Sequence, residues 1–212
     1  MSDAVLYDYW RSSAGYRVRI ALNLAEITYQ PIIVDLVKGE HKSDNHLARN
    51  PQGFVPVLEI DGLQLTQSMA ILNYLDQTRG MGLLPDDPGD RARVEALAHA
   101  IAVDIHPVCN LQVAKFAASI SDKTNDMPGD WMRHFIPPGL SAFEKMLGDF
   151  EQSPFCTGSE PGLVDICLMP QIYNARRWEV DLSKSPRILS VEAACARHPA
   201  FAAAHPDMHA PG

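Results

Sequence analysis

Three short segments of the chain carry side chains that are typical of a binding or catalytic site. They are Arg11-Ser12-Ser13-Ala14-Gly15-Tyr16-Arg17, which follows a hydrophobic run, then Val55-Pro56, and then Gln67-Ser68. A serine hydroxyl at the start of a helix can stabilise a thiolate, and a polar pair at another helix start can hold a carboxylate. An exposed backbone edge beside a proline can pair with a peptide. The set therefore indicates a site for a small peptide that carries a thiol and carboxylates.

Strand and helix patterns alternate along the part of the chain that contains these segments. A buried run at residues 5–10 predicts a strand, and apolar residues at helical spacing over residues 13–25 predict a helix. Residues 32–34 predict a second strand. The polar stretch 38–50 predicts a loop with a short helix.

A hairpin and a helix follow. Residues 56–60 and 63–65 predict two strands joined at Asp61-Gly62, because Asp-Gly tolerates the positive φ angles of a tight turn. Ser68 is predicted to cap the next helix. The resulting order, βαβ and then ββα, predicts a thioredoxin-like α/β domain.

The second part of the chain is predicted to be all-helical. Residues 81–89 are rich in Gly and Pro and predict a linker, which gives an N-terminal domain of residues 1–80 and a C-terminal domain of residues 90–212. Four helices are predicted after the linker: 90–121 with a bend or break at Pro107, 138–150, 164–178 and 191–198.

Composition restricts the partners. The net charge of −8 argues against nucleic acid or an anionic membrane surface as the main partner. No segment approaches the roughly 18 apolar residues of a membrane span, and no signal peptide is visible near the N-terminus. An anionic substrate would have to be held by individual arginines.

Cysteine and histidine spacing does not indicate a metal site. Cys109, Cys156, Cys167 and Cys195 form no close pair and no metal-ligand pattern, which indicates a reduced, cytoplasmic protein. His205 and His209 are four residues apart, but Pro206 and the terminal position indicate a loose tail rather than metal ligands.

Motifs over nearly the whole chain support a more specific prediction. They are Trp10-Arg11-Ser12-Ser13, Arg17 to Leu22, Asn50-Pro51-Gln52, Val55-Pro56, Gln67-Ser68, Asp104-Ile105-His106-Pro107 with Asn110, Pro170-Gln171, Ala175-Arg176-Arg177 and Val180-Asp181-Leu182. In order and separation they resemble the zeta class of glutathione transferases, and within it the maleylacetoacetate and maleylpyruvate isomerases. The resemblance implies a glutathione transferase fold.

The resemblance implies a glutathione site in the first domain. Ser12, or else Ser13, would donate a hydrogen bond to the thiolate, and a cis Val55-Pro56 bond would present the backbone of Val55 to the cysteinyl part. The remaining glutathione contacts would come from Gln52, Gln67 and Ser68, the last two at the γ-glutamyl carboxylate. Read locally, the serine is also an ordinary helix cap and the proline an ordinary edge-strand residue.

The resemblance also implies a substrate site and a homodimer. Arg11 and Arg177 would act as catalytic groups on the carboxylates or enolate of the substrate, for which an arginine fork is well suited. Asp104 would reach across a dimer interface towards the glutamyl amine, Asn110 would contact glutathione, and His106 would face the substrate. Their local alternatives are helix caps, satisfied core polar groups and, for Arg177, a partner for a helix C-terminus.

The expected activity is a cis–trans isomerisation that uses glutathione as its cofactor and needs no metal. The substrate would be a dicarboxylic maleyl keto acid, maleylacetoacetate or maleylpyruvate, converted to its fumaryl form. An alternative is a transferase that conjugates or dehalogenates small electrophiles such as α-halo acids. Another is a non-catalytic binding protein of the same fold.

Four positions depart from the family pattern. Ala14 stands where most zeta-class proteins have a cysteine, which removes a protein thiol and favours isomerisation. Gln112, in Leu111-Gln112, lies where the maleylpyruvate branch is more basic, and Phe54 replaces a polar residue. Gly162 replaces the Ser or Thr that usually precedes the helix with the buried Asp165, a tolerable cap.

Overall fold

A computed structural model describes residues 4–121 and 127–211 of the chain. Two compact units are present, one bounded as Met1–Gly82 with Arg197–Gly212 and the other as Leu83–Ala196. The sequence does not indicate that the C-terminal segment joins the first unit. The domain bounds predicted above stay a prediction.

Strands and helices alternate in the first unit, and helices fill the second. The first contains β1 (Ala4–Asp8), α1 (Ser13–Leu24), β2 (Tyr29–Ile33), a 3-10 turn (Glu40–Lys42), α2 (Asp44–Arg49), β3 (Val57–Ile60), β4 (Leu63–Thr66) and α3 (Ser68–Arg79). The second contains α4 (Pro88–His99), a π-helical segment (Ala100–Ile105), α5 (His106–Val108), α6 (Leu111–Ser119), α7 (Met127–Leu147), α8 (Leu163–Arg177) and α9 (Pro186–Arg197). The chain then returns to the first unit with α10 (Pro199–Ala204) and a 3-10 turn (Pro206–Met208).

The sheet of the first unit has the strand order β2-β1-β3-β4. β1 is parallel to β2 and antiparallel to β3, and β3 is antiparallel to β4. Asp61 and Gly62 take positive φ angles of 54° and 74° in the hairpin turn, as Asp-Gly predicts. The thioredoxin-like prediction is therefore confirmed.

Helix α1 forms the core of the first unit. Every residue from Gly15 to Leu22 is buried, because α1 packs against both α3 and α10. The sequence predicted one apolar face for this helix. The covering of its other side by α10 helps to bury Arg19, whose Nε donates to Ala204 O in that helix. Arg17 is buried as well, but its Nη1 donates to Ser68 of α3.

Several predicted element bounds were wrong. β1 ends at Asp8 rather than at residue 10, because Ser12 N–H donates to Tyr9 O (2.8 Å) and turns the chain. Gln67, not Ser68, occupies the cap position of α3. The predicted 90–121 helix passes through the π-helical segment and breaks at Cys109, two residues after Pro107.

Helix α7 differs most from its prediction. It covers Met127–Leu147, although residues 138–150 were predicted, and contains Pro137 and Pro138 in its interior. Residues 132, 136, 140, 143 and 147 are buried at helical spacing on both sides of the prolines. Burial of this stripe offsets the helix-breaking cost of proline.

Asp165 fixes the start of α8 in the second unit. Its two carboxylate oxygens accept from Cys156 N–H and Gly162 N–H, both at 2.9 Å. Gly162 is therefore a tolerable cap, as predicted, because its N–H still donates to Asp165. Apart from one isolated bridge, Phe155 to Gly158, the described residues of this unit are helix, turn or loop.

Candidate active site

Strand register brings the three chemical segments of the first unit to one edge of the sheet. Tyr7, near the end of β1, pairs with Val57 at the start of β3. Val57 in turn pairs with Thr66 at the end of β4. The segments that adjoin these residues are the turn before α1, the Val55-Pro56 peptide and the start of α3, so all three lie at the same edge.

Ser12 is the cap of α1. Its Oγ accepts from Gly15 N–H at 3.0 Å, while Ser13 is the first helical residue. A hydroxyl has one hydrogen and two lone pairs, so Ser12 can cap the helix and donate to an anion at the same time. The helix N-terminus favours negative charge at that point.

Arg11 lies beside this helix start. Its Nη2 donates to the hydroxyl of Tyr9 at 3.1 Å, and its Cζ lies 4.5 Å from the ring centroid of Trp10. Its Nε–H is buried and has no hydrogen-bond acceptor among the described residues. A buried donor without an acceptor favours an anion beside it, so the site fits a ligand that carries carboxylates.

The loop before Pro56 is held by two side chains. His46 Nε2 and Asn50 Nδ2 each donate to Phe54 O at 2.9 Å. The Val55-Pro56 bond is cis, as predicted, and Pro56 is buried while Val55 is half-buried. The backbone of Val55 is thereby fixed at the sheet edge.

At the start of α3, two residues predicted to bind glutathione are hydrogen-bonded to each other. Gln67 takes a left-handed φ of 66°, and its Nε2 donates to Gln52 Oε1 at 2.8 Å. Such a φ is uncommon for a residue other than glycine and is typical of functional sites. Ser68 is buried, and its Oγ accepts from Arg17 Nη1 at 3.2 Å.

The other predicted site residues belong to the second unit. Asp104 is exposed in the π-helical segment, and His106 is half-buried. Asn110 caps α6 through a bond from Gln112 N–H to its Oδ1 (2.8 Å). Arg177 ends α8, exposed, with its Cζ 4.9 Å from the ring centroid of Trp178. The roles of these four residues stay predictions.

Sequence reasoning assigned no supporting role to five polar residues beneath the first-unit site. These are Asp8, Arg17, Arg19, His46 and Asn50, all buried. The available signal was the presence of two arginines within the helical pattern of α1, since charged residues are rarely buried without partners.

The part of the chain that the structure describes contains neither a cluster of metal-ligating side chains nor a helix suited to cross a membrane. Within residues 4–121 and 127–211, no group of three or more His, Cys, Asp or Glu side chains could hold a metal ion. His205 and His209 bond locally, to Asp207 N–H and Ala203 O. Among the same residues, no helix is both long and apolar enough to cross a membrane.

Comparison with known proteins gives consistent matches. The family profile "Glutathione S-transferase, N-terminal domain" matches residues 2–77. The maleylacetoacetate isomerase of Rhizobium meliloti (strain 1021) is 53% identical over 211 residues, or 99% of each chain. The holo structure of a maleyl pyruvate isomerase, a bacterial zeta-class glutathione S-transferase, has a TM-score of 0.91 at 38% identity and covers 95% of this chain and 96% of that one.

A further solved structure carries bound ligands. It is the maleylacetoacetate isomerase from Anaeromyxobacter dehalogenans 2CP-1, with dicarboxyethyl glutathione and citrate in its active site. Its TM-score is 0.84 at 40% identity, over 98% of this chain and 97% of that chain.

A thioredoxin-like unit with two helix starts and a cis-proline loop at one sheet edge, together with a helical unit, is the architecture of the glutathione transferases. Both units are matched over nearly their full length by isomerases of one class. The chain belongs to the glutathione S-transferase family, in its zeta-class group of maleylacetoacetate and maleylpyruvate isomerases.

Proposed function

We propose that this protein is a glutathione-dependent isomerase that converts a maleyl keto acid, maleylacetoacetate or maleylpyruvate, to its fumaryl form. The observation that carries the proposal is the strand register from Tyr7 through Val57 to Thr66. This register brings the three segments that resemble glutathione-binding segments to one edge of the sheet. The two ligands in the Anaeromyxobacter structure, a dicarboxyethyl glutathione and citrate, support a site for glutathione together with carboxylates.

The first unit supplies the groups that would hold glutathione. Ser12 donates its hydroxyl hydrogen to the sulfur, and the start of α1 favours the thiolate over the thiol. The backbone of Val55, before Pro56, pairs with the cysteinyl residue. Ser13 and Gln52 complete the contacts, while Gln67 and Ser68 hold the γ-glutamyl carboxylate at the start of α3.

Two arginines bind the keto acid and stabilise the charge that it develops. When bound, glutathione supplies a thiolate that adds to the cis double bond, allows rotation about the resulting single bond, and leaves unconsumed. Arg11 stabilises the negative charge that develops on the oxygens of the substrate, because its Nε–H has no other acceptor among the described residues. Arg177 binds the distal carboxylate, and His106 contacts the substrate.

Purified protein should be mixed with each maleyl keto acid and a small amount of glutathione. Ultraviolet absorbance follows the isomer, and a thiol titration follows glutathione. Complete conversion with the total thiol unchanged is expected. Loss of one thiol per turnover would instead indicate a conjugating transferase, and glutathione binding without turnover would indicate a non-catalytic protein.

Arginine variants test the assigned carboxylate contacts. Arg11→Ala and Arg177→Ala are expected to lower kcat/KM about 10–100-fold, the usual effect of losing a hydrogen bond to a charged group. Arg176→Ala is the matched control, because Arg176 lies next to Arg177 but pairs with Glu192 at 2.7 Å. Its effect should be under about twofold. Equal effects of all three variants would contradict the assignment.

We also propose a homodimer in the cytoplasm. The dimer is supported by the family position of Asp104, which is exposed on the π-helical segment and would reach across the dimer interface towards the glutamyl amine of glutathione. Asn110 would also contact glutathione. A reducing compartment is supported by the four cysteines, which are all thiols. Light scattering of the purified protein would test the dimer, and the mass of a single chain would contradict it.

A further inference from the structure

A buried arginine connects the two helices whose N-termini face the proposed glutathione site. Arg17 lies on α1 and is only 2% exposed. Its Nη1 donates to the hydroxyl oxygen of Ser68, the first residue of α3, at 3.2 Å. Both side chains are buried, so this hydrogen bond is shielded from water.

The chemistry of the two groups fixes the direction of this bond. A guanidinium has donors and no acceptor, so the oxygen of Ser68 must accept. The single hydrogen of that hydroxyl then remains available and points away from Arg17. Acceptance from a cation also polarises the O–H group and makes it a stronger donor.

The position of Ser68 determines what the hydroxyl can meet. Ser68 begins a helix of 12 residues, whose first N–H groups have no partner within the helix. A carboxylate there would accept from those N–H groups and from the Ser68 hydroxyl. The charge of Arg17 would lie directly behind the hydroxyl, where low exposure leaves the attraction less screened by solvent.

We propose that Arg17 is a positioning residue for the γ-glutamyl α-carboxylate of glutathione, acting through the hydroxyl of Ser68. This inference rests on the proposed glutathione site and adds to it a residue that does not touch the ligand. Arg19, two residues further along α1, has a different role, since it forms an ion pair with Asp8.

Binding of two ligands separates this role from simple support of the fold. Isothermal titration should compare glutathione with γ-aminobutyryl-cysteinyl-glycine, which lacks only the α-carboxylate of the glutamyl residue. Arg17→Met removes the charge at similar length. We expect it to weaken glutathione binding about tenfold or more and to change binding of the analogue less than about twofold. Thermal unfolding confirms that each variant is folded.

Two further variants keep the test decisive. Arg79→Met is the charge-matched control, because Arg79 ends the same helix α3 and pairs instead with Asp61 at 2.6 Å. It should leave both affinities unchanged. Arg17→Lys keeps the charge but loses the planar fork, so it remains informative if Arg17→Met does not fold. We expect Arg17→Lys to weaken glutathione binding in the wild-type background and to have less than about twofold effect in Ser68→Ala.

The experiment distinguishes a failure of the proposed function from a failure of the role proposed for Arg17. If the wild-type protein binds no glutathione, the proposed function is wrong. If Arg17→Met weakens both ligands equally, or if Arg17→Lys acts as strongly in Ser68→Ala as in the wild type, Arg17 has only a structural role and the present inference is wrong.

Discussion

Asp8 and Arg19 form a buried ion pair beneath the turn that presents Ser12. Asp8 also accepts from Tyr9 N–H at 2.7 Å, and Arg19 Nη2 donates to Trp10 O at 2.9 Å. Arg19 Nε donates to Ala204 O at 3.1 Å. The pair thus ties the end of β1 and the turn after it to α1 and to the C-terminal helix α10.

The ion pair predicts a pH dependence of stability. Burial raises the pKa of Asp8 from 3.8 to about 6, against the opposing effects of Arg19 and of the Tyr9 N–H. The folded protein therefore binds this proton more tightly than the unfolded chain does. The contribution of Asp8 to the free energy of unfolding should fall by about 3 kcal/mol as the pH rises from below 4 to above 6.

Urea denaturation across this pH range measures the effect. Asp8→Asn lacks the titrating group, so the difference in unfolding free energy between wild type and variant isolates Asp8. That difference should decrease with rising pH. A difference that stays constant, or that increases, would contradict the raised pKa.

The same ion pair leaves no room for a side chain at position 15, which is glycine. A Cβ atom at this position would overlap the carboxylate of Asp8, which cannot move without losing its bonds to Arg19 and Tyr9. Gly15→Ala should therefore lower the free energy of unfolding by about 1–3 kcal/mol, as overpacking of a core does. Chemical denaturation measures the loss.

Two variants control this prediction. Gly89→Ala, in the first turn of α4, meets only an exposed carboxylate oxygen at 3.1 Å and should be nearly neutral. The double variant Asp8→Ala with Gly15→Ala should lose less stability than the two single variants together, because the overlap is gone. Strict additivity would show that the strain lies elsewhere.

The sequence predicted the first unit well where its signals were local. The Asp61-Gly62 turn, the helical spacing of α1 and the order of strands and helices are all encoded within a few neighbouring residues. The Val55-Pro56 cis bond was predicted only through the family resemblance, because most X–Pro bonds are trans.

The parts of the fold that the sequence did not predict depend mainly on packing between distant segments of the chain. α10 lies about 180 residues after α1, so no local pattern indicates that it covers Arg19. The predicted helix is shorter than α7 because a proline such as Pro138 is typical of a helix start, while the buried stripe of α7 continues through Pro137 and Pro138. The cap of α3 was placed one residue late, because the positive φ of Gln67 has no sequence signal.

Ser12 is expected to affect both stability and thiol ionisation. Ser12→Ala removes the bond from Gly15 N–H and should cost about 1 kcal/mol of unfolding free energy. It should also raise the pKa of the thiol of bound glutathione by about one unit, because the donor to the thiolate is lost. Thiolate ultraviolet absorbance against pH measures the second effect.

Ser43→Ala is the matched control for Ser12→Ala. Ser43 caps α2 in the same way, with its Oγ accepting from His46 N–H at 3.4 Å. A similar or smaller loss of stability is expected, with no change in the thiol pKa. If both variants moved the thiol pKa equally, Ser12 would be a helix cap and no more.

The protein's own cysteines are expected to be unreactive in the folded state. All four are buried, and burial raises the pKa of Cys109 to about 11 and also raises the pKa values of Cys156 and Cys195. Because the thiolate is the nucleophile, a disulfide reagent at neutral pH should react with the native protein at least about a hundredfold more slowly than with free glutathione. Denaturation in guanidinium should release all four thiols.

Ala14→Cys supplies the positive control for this measurement. Position 14 is half-buried in the first turn of α1, where the helix N-terminus lowers a thiol pKa. The variant should therefore gain one fast-reacting thiol in the native state. A fast-reacting thiol in the wild-type protein would contradict the burial of its cysteines. It would also favour an activity that uses a protein thiol, such as dehalogenation.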